Sequence, residues 1–201
     1  MRLMRYTLVV ATFLAFAILS SVANAAHGAV ITSGVYVGLG NHFFKQGNFG
    51  LAAKLFEKAV AVSGGNNAAA HHNLGIVYYE EGNSGKAEEE FRNAIEANQD
   101  YAKAYNSLAI LLFGKGRFSE AAAYFRKVVE LSPENAQAHF DLGASIGNDV
   151  RYGNGTVASL GDALGHFREA ERLQPGYAYA RQNIKVIEEI LGSYYELKES
   201  D

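Results

Sequence analysis

Apolar positions along this chain fall into paired helical stripes, and the pairs repeat. In the first pair, Tyr36, Leu39, Gly40 and Phe43 recur three or four residues apart, the spacing of one helix face. Leu51, Ala52, Leu55, Phe56, Ala59 and Val60 form a second stripe. Gly47 between them suits the left-handed conformation that closes a helix, and Asn48 suits the cap of the next one. The pattern predicts two helices of about 14 residues joined by a very short turn.

This hairpin pattern occurs four times. Leu39-Gly40, Leu74-Gly75, Leu108-Ala109 and Leu142-Gly143 mark the first helices, with steps of 35, 34 and 34 residues. Ala52, Ala87, Ala121 and Ala163 mark the second helices, followed by Phe56, Phe91, Phe125 and Phe167, then Ala59, Ala94, Val128 and Ala170. Gly82-Asn83 and Gly116-Arg117 stand where Gly47-Asn48 stood. A fixed period near 34 residues predicts a stacked array in which no hairpin buries both of its faces alone. The small residues let paired helices approach closely, and the phenylalanines fill the space between neighbouring hairpins.

The fourth unit departs from the period. Gly143 to Ala163 is 20 residues where Gly40 to Ala52 is 12. The eight extra residues, with Gly147, Gly153, Asn154 and Gly155 among them, predict an inserted loop near 147–160. Such a loop can contact a partner or be a tolerated surface insertion. Ile184, Ile187, Ile190 and Leu191 form the apolar stripe of a last helix running to about Lys198, suited to capping the array. Residues 199–201 read as a frayed tail.

The N-terminus has another character. Residues 1–5 carry Arg2 and Arg5, residues 6–22 are apolar and uncharged, and Ala23, Asn24 and Ala25 put small residues where signal peptidase reads. This layout predicts a secretory signal over 1–25, cleaved after Ala25, with a short segment at 26–32 before the array. An uncleaved N-terminal anchor is the alternative. The expected location is periplasmic or extracellular, with no other membrane contact.

Composition narrows the chemistry. There is no cysteine, which removes disulfides, thiolate metal sites and cysteine nucleophiles. The formal charge is -3. Without Arg2 and Arg5 it is -5, and no basic stripe exists to drive nucleic-acid binding. No nucleophile elbow, phosphate loop or dinucleotide fingerprint is present. Adjacent His71 and His72 point about 100° apart on a helix, and His42 and His166 lack a ligand four residues later, so the histidines read as packing or solvated groups rather than metal ligands. Glu80-Glu81 and Glu88-Glu89-Glu90 read as solvated helix faces. Asn154-Gly155-Thr156 is a glycosylation sequon in a eukaryote and a turn otherwise. No cofactor is expected.

These residues resemble the tetratricopeptide repeat family. Leu39-Gly40-Asn41, Lys45-Gln46-Gly47-Asn48-Phe49 and Phe56-Glu57-Lys58-Ala59 carry the resemblance most closely, and it extends over about residues 33–177. The family's proline after the second helix appears as Pro133 and Pro175 but not at Gly64 or Gln99. Its early tryptophan is replaced by Tyr36, His71, Tyr105 and His139. The resemblance implies an all-α, right-handed superhelical solenoid. Its hairpins would span about 33–66, 68–101, 102–135 and 136–177, with a capping helix over 178–201.

The resemblance also implies a groove lined by the first helices, here Asn41, Phe44, His72, Ile76, Tyr79, Asn106, Ile110, Phe113 and Phe140. An aromatic and apolar trough with a few amides suits a peptide or protein segment. One family subset grips a C-terminal carboxylate with two asparagines and three basic residues. Asn41, Asn73 and Lys103 match, but Val37 and Ser107 stand where cations are needed, so that mode is largely lost. The function implied is a non-enzymatic adaptor or scaffold of the envelope or exterior. The alternatives are a self-associating scaffold with Tyr194 and Tyr195 near its sticky end, and a subunit of a pilus, secretion or cytochrome maturation system.

Overall fold

The computed structural model describes residues 32–199. The expected signal at 1–25, the segment that follows it as far as residue 31, and residues 200–201 lie outside the described residues. Among those described there are nine helices and no strand. They are α1 (Ser33–Lys45), α2 (Phe49–Val62), α3 (Ala68–Glu80), α4 (Ser84–Ala97), α5 (Ala102–Gly114), α6 (Phe118–Leu131), α7 (Ala136–Arg151), α8 (Val157–Leu173) and α9 (Ala178–Glu199). Consecutive helices pack as four hairpins, each hairpin packs on the next, and α9 packs on α8. The fold is an all-α repeat solenoid with a C-terminal helix.

The turns follow from local chemistry. Gly47, Gly82 and Gly116 have φ of 74°, 77° and 74°, a region open to glycine without a Cβ penalty. Asn48 and Asn83 then accept from the backbone N–H of Leu51 and Lys86, satisfying a donor that the helix start leaves free. Arg117 holds the same position without a side-chain cap. Its guanidinium donates to Glu88 and Glu120 instead.

Packing is set by the small residues. A Cβ on Gly75 would lie 2.6 Å from Cε1 of Phe91, and one on Gly40 would lie 2.5 Å from Cε1 of Phe56. The rings therefore press directly against the glycines of the first helix, and all four repeat phenylalanines are at most 2 % exposed. One apolar cluster joins Ala52, Phe56, Leu74 and Val77. A second runs from Phe91 through Leu108, Phe125, Leu142 and Phe167 to Ile187 of α9.

The extra length of the fourth unit is mostly helical, which corrects the loop expected near 147–160. α7 has 16 residues and α8 has 17, against 13 and 14 for α1 and α2. Each helix of the unit thus gains about one turn. The connection is only residues 152–156. Gly147 costs the helix about 1 kcal/mol of propensity, but neighbouring side chains hold the added turns. Val150 packs on the core, and Tyr152 stacks on Phe118 with ring centroids 5.3 Å apart. Gly153, at φ 88°, turns the chain, and Thr156 and Ser159 form a capping box for α8.

A second correction concerns α9. Ala180 and Ile187 are buried against the array, but Ile190 is 48 % exposed. It belongs to a separate stripe with Val186 and Tyr194, both exposed.

Candidate functional site

The repeat leucine gives a register for the first-helix face. The fifth residue after it is Phe44, Tyr79 and Phe113 in units one to three and Gly147 in unit four. The second residue after it is Asn41, Ile76, Ile110 and Ala144. Two residues before it stand Val37, His72, Asn106 and Phe140. The residues expected to form the groove therefore occupy equivalent places on α1, α3, α5 and α7.

Their surroundings differ from unit to unit. Phe44 leans on Phe49 across its turn, with centroids 5.3 Å apart, and Phe113 leans on Phe118 at 5.1 Å. In unit two the facing residue is Ser84, so Tyr79 has no such ring to lean on and is 48 % exposed. Ile110 is 46 % exposed and Asn41 is exposed. Ile76, Asn106, Phe113 and Phe140 are half-buried.

His72 is the exception among the expected groove residues. It is 6 % exposed, so its ring packs between repeats rather than lining an open surface. Its centroid lies 5.7 Å from Phe91 and 5.5 Å from Tyr101, and Nε2 meets Ser107 Oγ at 3.0 Å. Burial, opposed by a hydrogen bond with Asn73 and reinforced by the charge of Lys103, holds its pKa down to about 4. It is neutral at ordinary pH, and its buried Nδ1 has no partner.

The face opens toward the C-terminus. α1 packs directly on α3, and α3 on α5. Between α5 and α7 lies a cavity of about 220 Å³ lined by Ile110, Phe113, Phe125, Phe140, Asp141 and Ala144. A larger one of about 460 Å³ opens among α7, α8 and α9. Ala144 lines both, so the two flank α7. Burial raises the Asp141 carboxyl to about 6 despite a hydrogen bond from Gln137. Gln137 in turn accepts from Tyr177 at 2.6 Å, tying the groove floor to the start of α9. The larger cavity lies beyond the expected groove. Carrying the register into unit four would have flagged it, because Ala144 and Gly147 replace the larger side chains of earlier units.

The asparagines of the carboxylate-gripping pattern are joined to each other. Asn73 Nδ2 donates to Asn41 Oδ1 at 3.0 Å. Two of the expected wet-face glutamates have partners. Glu88 accepts from Arg92, Lys115 and Arg117 at 2.9, 2.7 and 2.8 Å. Desolvation would raise its pKa, but these bonds outweigh it and hold the carboxyl near 2. Glu90 meets His71 Nδ1 at 2.6 Å.

Two histidines meet across unit four, which the sequence spacing did not reveal. His139 Nδ1 and His166 Nδ1 are 3.2 Å apart, and His139 Nε2 meets the Pro133 carbonyl at 3.0 Å. His166 is depressed first by burial, then by His139 and Arg126. Among the described residues no three His, Cys, Asp or Glu side chains converge as a metal site would require.

Two family models, each described as tetratricopeptide repeat, match the chain. One covers residues 32–100, the other 72–136 and 106–145. The comparison with curated proteins gives no match. Solved structures share the fold. YrrB, described as a TPR protein with an unusual peptide-binding site, is 23% identical with a TM-score of 0.66, over 80% of this chain and 76% of that one. MamA is 22% identical with a TM-score of 0.65, over 76% of this chain and 84% of that one. The first TPR of Spaghetti (RPAP3), bound to the HSP90 peptide SRMEEVD, is 26% identical with a TM-score of 0.54, over 57% of this chain and 92% of that one.

Proposed function

Because this chain belongs to the tetratricopeptide repeat family, we propose that it is a non-enzymatic adaptor that holds a protein segment along its first-helix groove. The observation that carries this reading is the exposure of Tyr79 and Ile110 on adjacent first helices, beside a cavity already open at Phe113 and Phe140. Large apolar side chains displayed together on one face mark recognition surfaces. The solved peptide complex on a related fold supports the same mode. Export rests on the residue pattern at 1–25. An exported adaptor would serve assembly of an envelope structure such as a pilus, a secretion system or a cytochrome maturation system. A second reading, self-association, is favoured by Tyr194 and Tyr195, 41 % and 56 % exposed at the end of α9.

A photo-crosslinking residue in place of Tyr79, in the native host, tests the proposal. A single foreign protein should be captured. The double variant Tyr79→Ala with Phe113→Ala should lose that partner while keeping its helicity, because both rings lie on the groove side of the packed core. Undiminished capture by the double variant refutes groove binding. Crosslinks only between copies of this chain favour the self-associating scaffold.

A further inference from the structure

One missing side chain leaves an opening on the first-helix face. Units one to three fill the fifth position after the repeat leucine with Phe44, Tyr79 and Phe113, whereas unit four has Gly147. The cavity of about 460 Å³ lies at that glycine, walled by Ala144, Val150, Leu160, Val186 and Ile190. A Cβ on Gly147 would meet nothing within 4 Å, so the space is free for a side chain from elsewhere. Val186 and Ile190, about half exposed on α9, continue the apolar wall outward.

The polar groups at the rim say what could sit there. Asn148 and Asn183 each donate their side-chain amide to a carbonyl of their own helix, Ala144 O and Tyr179 O, both at 2.8 Å. One N–H of each amide is thereby committed, and the remaining walls are mostly apolar. An extended peptide laid in the cleft would lose more water bonds from its backbone than two half-committed amides replace, which is costly. A helix satisfies its own backbone and needs only apolar walls. Arg151, at the mouth, makes no side-chain hydrogen bond or ion pair among the described residues. A guanidinium without a partner favours a carboxylate beside the apolar contact.

We propose that the cleft between α7 and α9 seats an amphipathic helix of a partner protein. Apolar residues three and four apart fill the space left by Gly147, and an acidic residue on the helix flank pairs with Arg151. This rests on the adaptor reading and adds a second, chemically defined site to it.

The test selects peptides from two displayed libraries, one helix-constrained and one linear, on the immobilised full chain. The helical library should yield binders with apolar residues three and four apart and Asp or Glu on one flank. Gly147→Phe, which installs the repeat's own aromatic, should weaken those binders at least about tenfold without lowering the melting temperature. Arg151→Glu should weaken them too, and replacing their acidic residue with lysine should restore affinity to that variant. Binders from the linear library that ignore Gly147→Phe but fail with Tyr79→Ala and Phe113→Ala would overturn this inference and leave the adaptor reading standing. No binder from either library would overturn both. A dimer of the full chain that Gly147→Phe dissociates would make the occupant a second copy and overturn the partner assignment.

Discussion

Units two and four share one backbone plan and use it for opposite ends. In both, a histidine three residues before the repeat leucine is buried and bonds through Nε2 to a carbonyl six residues earlier, His71 to Gly65 and His139 to Pro133. In both, Nδ1 reaches the second helix of the hairpin. In unit two it finds Glu90, and in unit four it finds His166. The groove position is Tyr79 in one and Gly147 in the other. The position on the second helix that carries Glu88 in unit two carries Leu164 in unit four. Unit two is thus pinned by charge and presents an aromatic ring on its first-helix face. Unit four is longer, apolar and open. A repeat scaffold fixes where side chains stand, while their identity decides whether a place is sealed or available.

Substituting the two glycines of these units gives the sharpest contrast. Gly75→Leu puts a branched side chain where even a Cβ lies 2.6 Å from Phe91. It should destabilise the array by about 1–3 kcal/mol or more. Gly147→Leu enters open space and removes a helical glycine, so it should be neutral or stabilising by up to about 1 kcal/mol. Thermal unfolding of the two variants side by side decides it. Equal melting temperatures would erase the distinction between a sealing and an open glycine.

That distinction was only half legible in sequence. The repeat leucines, turn glycines and phenylalanines announced the solenoid because each is demanded by a contact every hairpin makes. Gly147 looked like a loop residue because glycine spacing alone cannot separate a turn from a helix whose neighbours hold it. The added turns depend on Val150 and Tyr152 finding the core and Phe118, which are contacts between elements. Likewise, His139 and His166 are 27 residues apart in sequence, and only the pairing of α7 with α8 brings them together. Register puts His72 among the expected groove residues, but its burial is decided by Tyr101, at the junction of units two and three, and by Ser107 of unit three.

Glu88 offers the next contrast, of smaller size. Desolvation opposes its ionisation, yet the hydrogen bonds from Lys115, Arg92 and Arg117 hold the carboxyl near 2. Its stabilisation is therefore present above the unfolded value of 4.5 and fades as pH falls toward 2. Because the cationic ends are partly exposed and screened, Glu88→Gln should cost only about 1 kcal/mol at neutral pH. Wild type and variant should converge in acid, whereas Leu164→Ala should cost the same at every pH. A loss for Glu88→Gln that persists near pH 2 would mean its packing, not its charge, holds units two and three together.

The histidine pairs give the finest test, because the same repeat position should respond to pH in opposite senses. His71 faces two acceptors, the Glu90 carboxylate and the Gly65 carbonyl, so its doubly protonated form meets a partner at each nitrogen. The bond with Glu90 is the largest cause of its raised pKa. Its contribution is complete below 6.5 and is lost as pH rises through the raised value. In unit four, His139 donates through Nε2 to Pro133 and accepts at Nδ1, so His166 must donate. A second proton on each ring would remove the acceptor and place like charges in contact. Burial first, then His139 and Arg126, depress His166, so that contribution is present above 6.5 and is lost as pH falls through the lowered value. Asp162 and Glu169 on α8 pull weakly the other way. Amide exchange between about pH 5 and about pH 8, corrected for intrinsic rates, should therefore show α7 and α8 loosening in acid while α3 and α4 tighten. His166→Glu gives unit four the carboxylate of unit two and should reverse its response. If α7 and α8 still loosen in acid in that variant, the contact between the two histidines is not the source of the difference.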